Sequence, residues 1–74
     1  MPCIDANGNL TRSAELILLS MIKPNSIEAS AKENRMPIYR IRSAVRELGK
    51  AGLIEPVSEN FQTTEKGIEK LEGR

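Results

Sequence analysis

The chain has 74 residues, enough for one domain and too few for two. Hydrophobic residues make up 39% and charged residues 28%, with only Tyr39 and Phe61 aromatic, so the core is expected to be aliphatic; one cysteine, Cys3, and no histidine exclude an internal disulfide and leave no ligand set for structural zinc. The formal net charge is +1, yet residues 35–50 hold Arg35, Arg40, Arg42, Arg46 and Lys50 against Glu47, five bases to one acid and a local +4, while the other six bases and nine acids leave −3; one basic stripe of this kind is the footprint of a phosphate-binding surface.

Residues 1–10 read as an N-terminal arm and 11–74 as one folded domain. Asn7-Gly8 is a turn signal between Ile4 and Leu10, so a short hairpin is one reading of the arm, and a fraying terminus is the favoured one. Cys3 has no basic neighbour in the sequence to lower its pKa, and a reactive thiol is not expected.

Thr11 or Ser13 is placed to cap a first helix over about 12–22, which Pro24 ends. Ala14, Ile17, Leu18, Met21 and Ile22 share one face of it, and Leu16 and Leu19 lie off that face, which suits either a helix buried on most sides or, the favoured reading, a dimer contact. Asn25, with Glu28 three residues on, forms a capping-box-like start for a second helix over 26–34, whose small Ala29 and Ala31 permit a close helix crossing. Asn34-Arg35-Met36 is a tight turn with Met36 plugging the corner, and Pro37 suits the first position of a third helix over 37–50.

In that third helix Ile41, Ala44, Val45 and Leu48 form the apolar stripe, with Tyr39, Arg42, Ser43, Arg46 and Lys50 broadly opposite. Gly52 is a natural left-handed stop. Residues 53–57 and 61–63 form a small hairpin about the turn Ser58-Glu59-Asn60, with Pro56 confined to an edge or a strand end. Thr64 caps a last helix over 65–71, with Ile68 and Leu71 inward. The fold class expected is mainly α with a small β-hairpin.

The run Ile41-Arg42-Ser43-Ala44-Val45-Arg46-Glu47-Leu48-Gly49-Lys50-Ala51-Gly52-Leu53-Ile54 resembles the recognition helix and the start of the wing in MarR-like regulators and related winged helix-turn-helix proteins. Thr63-Thr64-Glu65-Lys66-Gly67 resembles the Leu-Thr-x-x-Gly that follows the wing in the same group. The resemblance spans roughly residues 26–71. Ser30 stands where such families usually carry Leu, Thr63 replaces the usual Leu, and the short wing carries Glu59 at its tip, where a carboxylate is repelled by phosphate. The chain also lacks the flanking helices with which MarR-like proteins dimerise.

The resemblance implies a cytoplasmic DNA-binding transcriptional regulator, acting as a homodimer, with helix 37–50 in the major groove of double-stranded DNA. Tyr39, Arg40, Arg42 and Ser43 are expected nearest the bases, Arg46 and Lys50 at phosphates, and Arg35 in the turn and Asn60 at the wing tip as flanking contacts. Leu16 and Leu19 are the expected dimer interface. The alternative is a winged-helix module that binds a protein and no DNA. No enzyme is expected, since no nucleophile has a base beside it in the sequence and the glycines match no phosphate loop. Nor is a cofactor, a metal, a small-molecule ligand or a membrane partner, the longest apolar run being residues 16–19.

Overall fold

The computed structural model describes residues 4, 6 and 8–73. Four helices, α1 (Arg12–Ser20), α2 (Ile27–Asn34), α3 (Ile38–Lys50) and α4 (Glu65–Glu72), accompany one antiparallel hairpin of β1 (Ile54–Val57) and β2 (Asn60–Thr63). No helix among these residues is long and apolar enough to cross a membrane. Cys3 and Asn7 lie outside the described residues; Ile4 and Leu10 form an antiparallel bridge and Gly8 has φ 81°. The arm is thus tied back on itself at this bridge, where fraying was the favoured expectation.

Three helices begin on a hydroxyl. Thr11, Ser26 and Thr64 each accept the backbone N–H three residues on, at 3.3, 3.0 and 3.1 Å, and each helix carries a glutamate in its first turn. These features satisfy N–H groups that have no partner within the helix and place negative charge at the positive end of the dipole. The cap of α2 is Ser26 rather than Asn25, because the Asn25 amide is used elsewhere. Pro37 lies just outside α3, with extended backbone, and supplies no side-chain cap.

α2 ends without glycine. Arg35 takes the left-handed conformation (φ 55°, ψ 44°), its N–H donates to the Lys32 carbonyl, and the Met36 N–H donates to the Ala31 carbonyl at 2.9 Å. That paired closure is a Schellman motif, and it turns half-buried Met36 onto the core. α3 ends in the same way with the glycine that suits it: Gly52 has φ 80°, and the Leu53 N–H donates to the Leu48 carbonyl at 2.9 Å.

The core is aliphatic, built from Ala14, Ile17, Leu18 and Met21 of α1 and its cap, Ala31 of α2, Ile41, Ala44, Val45 and Leu48 of α3, and Leu53, Ile54 and Leu71. α1 stops at Ser20, two residues short of the expected end, so Ile22 falls beyond the helix and is 38% exposed instead of joining the core face. The cause lies far along the chain, in β2. The buried Thr63 hydroxyl donates to the Leu18 carbonyl at 2.7 Å, and the Thr63 N–H donates to the Met21 carbonyl at 2.7 Å, taking up acceptors at the end of α1. A leucine at 63 has no hydroxyl for this bond.

Ser30 is likewise fully buried, at the α1–α2 crossing. Ser20 Oγ donates to the Ile17 carbonyl at 2.7 Å and lies 2.7 Å from Ser30 Oγ. With the Ser20 proton committed, Ser30 donates to Ser20 and accepts from Asn34 Nδ2 at 3.4 Å. Both departures from the resembled pattern are thus satisfied polar groups in close-packed positions.

The hairpin turn has two residues, Ser58 and Glu59, because Val57 pairs with Asn60. Ser58 alone of the two has positive φ, 56°, the sign pattern of a type II′ turn. Asn60 is therefore the first residue of β2 and does not sit at the tip. Phe61 exchanges both backbone hydrogen bonds with Asn25, at 2.9 and 3.0 Å, on the side of β2 away from β1. Its partner in β1, Pro56, consequently occupies a non-hydrogen-bonded position, where a missing N–H costs nothing. α4 crosses close behind: a Cβ on Gly67 would overlap the Leu53 carbonyl oxygen and lie 2.7 Å from Thr63 Cγ2, so this position accepts no side chain without displacement.

Candidate nucleic-acid interface

The exposed side of α3 is the candidate surface, and the buried side holds it in place. At about 100° per residue, Ile41, Ala44, Val45 and Leu48 occupy one arc, all buried. Arg42, Arg46, Tyr39, Lys50 and Ser43 project within an arc of about 100° on the opposite side, all exposed. Tyr39 is 71% exposed, far more than a tyrosine that anchors a core. Five of the eight residues expected at the interface are thus brought onto one face.

The other three fall elsewhere. Arg40 projects on the flank of α3, beside Glu47 and away from the arginine row, and is half-buried, because its place in the 3.6-residue period borders the apolar stripe. Its expected place nearest the bases is corrected accordingly. Asn60 is half-buried within β2. Arg35 is exposed in the turn that precedes α3.

Both ends of α3 are fixed. The three residues 35–37 link it to α2, against which it packs. At the far end Thr64 Oγ1 donates to the Gly52 carbonyl at 2.7 Å, and the Thr64 N–H donates to the Leu53 carbonyl at 2.9 Å, joining the close of α3 to the cap of α4. The hairpin adds negative charge: between Lys50 and Lys66 the charged residues are Glu55, Glu59 and Glu65.

Leu19 on α1 is 57% exposed, whereas Leu16 is half-buried. A cleft of about 160 Å³ between the arm, α1 and α4 is lined by Asn9, Leu10, Glu15, Glu69, Lys70 and Gly73. It is smaller than the roughly 300–1,000 Å³ of small-molecule sites. Among the described residues no group of three potential metal ligands occurs.

Sequence reasoning missed Ser20, and missed that Asn25, Ser30 and Thr63 tie the elements together. Ser30 and Thr63 did stand out, as polar residues where a leucine was expected. Asn25 stood out only as a helix cap, a role the structure gives to Ser26. No family model matches the chain, and neither does any curated protein or solved structure.

Proposed function

We propose that the chain is a winged helix-turn-helix module that binds duplex DNA, with α2 and α3 as the helix-turn-helix pair and the β1–β2 hairpin as a short wing. The three-residue link with a left-handed residue at its start is the connection such a pair uses. The observation that carries the reading is the exposed arc of Tyr39, Arg42, Ser43, Arg46 and Lys50 directly opposite the buried stripe of α3. An α-helix fits the major groove, which is about 12 Å wide.

In this reading Tyr39, Arg42 and Ser43, in the first half of the helix, meet base edges, while Arg46, Lys50 and the turn residue Arg35 meet phosphates. Arg42 reads guanine with two hydrogen bonds, worth about 1–3 kcal/mol of discrimination. The acidic hairpin tip takes no part in phosphate contact.

The test is selection from a random duplex library, followed by anisotropy titrations at several salt concentrations. Arg42→Ala is expected to relax the preference at one or two base positions. Arg46→Ala is expected to weaken binding uniformly and to reduce the slope of log K against log salt by about 0.9. Unchanged binding in the double variant removes α3 as the interface. A protein-binding module is the second reading, favoured by exposed Leu19 and Ile22 and by the acidic tip. It is selected by a stoichiometric protein partner together with no duplex retention at low salt.

A further inference from the structure

We infer that Asn25 is the positioning residue of the α3 surface, the junction that fixes the helix pair against α1 and the hairpin. This rests on the duplex-binding reading. The side-chain amide of Asn25 donates to the Ser20 carbonyl, the last residue of α1, at 2.9 Å, and to Glu33 Oε2 on α2 at 3.0 Å. Its Oδ1 accepts the Ser26 N–H at 2.9 Å, at the cap of α2. Its backbone N–H and carbonyl pair with Phe61 of β2. One residue therefore bonds directly to α1, α2 and the hairpin, and both hydrogens of its amide are used.

The position of α2 matters because α3 packs against it and follows it after three residues. A change in how α2 meets α1 and β2 tilts the arginine row relative to the rest of the molecule. Specific readout requires side chains placed closely against base edges. Non-specific binding depends chiefly on how many charges approach the phosphates. Loosening the junction therefore separates the two kinds of binding, whereas simple loss of folded protein lowers both together.

Asn25→Ala is the test, because it leaves the net charge unchanged. Two probes are titrated: the 20-bp duplex enriched by the wild-type chain from a random library, and the unselected pool. Each titration runs well below the melting temperature of the variant, established by circular dichroism. The expected result is about a tenfold loss of affinity for the enriched duplex, the worth of one misplaced base contact, with pool affinity within about twofold of wild type.

If Asn25→Ala does not fold, Glu33→Ala replaces it. That variant removes only the α2 half of the clamp and adds one unit of positive charge, so the two probes are expected to move in opposite directions, enriched duplex down and pool up. Equal losses on both probes, or no loss on either, overturn the positioning role while leaving the duplex-binding reading intact. Retention of neither probe by the wild-type chain overturns both.

Discussion

Arg35 holds a backbone conformation that costs an L-residue with a Cβ roughly 1–2 kcal/mol per residue in the left-handed helical region. Glycine relieves that cost and gives back part of it through greater freedom in the unfolded chain, about 0.5–1 kcal/mol. Arg35→Gly is therefore expected to raise stability by about 0.5 kcal/mol, read as a higher urea midpoint at unchanged slope. On the duplex-binding reading the same substitution removes one phosphate contact and lowers the salt slope by about 0.9. A variant that is less stable would show that the arginine side chain contributes to the fold itself. Gly67 presents the opposite case. Its place is fixed by space, through the Leu53 carbonyl and the Thr63 methyl, and that crowding is invisible along the sequence.

The α3 helix was the most legible part of the sequence. Its four buried residues recur at i, i+3, i+4 and i+7, and Gly52 marks its end. The exposed arc follows from the same period, and Arg40 fell outside it because a count of cations ignores angular position. α1 was less legible because its end is set by Thr63, a residue distant in sequence, while the local signals of Ile22 and Pro24 pointed further on. Gly49 lies within α3, is exposed, and has only an ordinary contact, 3.8 Å from the Ile54 carbonyl oxygen, where a Cβ would go. Gly49→Ala is expected to stabilise the protein by about 0.5–1 kcal/mol, measured by thermal or urea unfolding. Position 49 lies one turn beyond Arg46 and two beyond Arg42, at the edge of the arginine row, and a methyl there adds no charge, so the salt slope of duplex binding should not change.

A core of twelve buried apolar residues among those described, in a chain of this length, gives limited stability, and a partner subunit would add to it. Leu19 is the more exposed of the two α1 leucines and so the sharper probe of a dimer. On the reading of α1 as a dimer contact, Leu19→Glu is expected to shift sedimentation from dimer toward monomer while leaving the circular dichroism spectrum unchanged. A wild-type chain that sediments as a monomer at high concentration removes the dimer proposal. Charge is also segregated over the molecule, with bases concentrated on residues 35–50 and an acid excess elsewhere. A near-zero total therefore says little about the field along any one face.

Pro56 has a consequence for the fate of the chain in crowded solution. Because β2 is flanked by Asn25 on one side and β1 on the other, β1 is the sheet's open edge, and the backbone groups of Ile54 and Pro56 point outward along it. A second chain approaching to extend the sheet meets an imino nitrogen with nothing to donate at position 56, next to the repelling carboxylate of Glu55. The smallest sheet that still braces α1 is thus protected against growth into fibrils by the residue its own pairing could most easily spare.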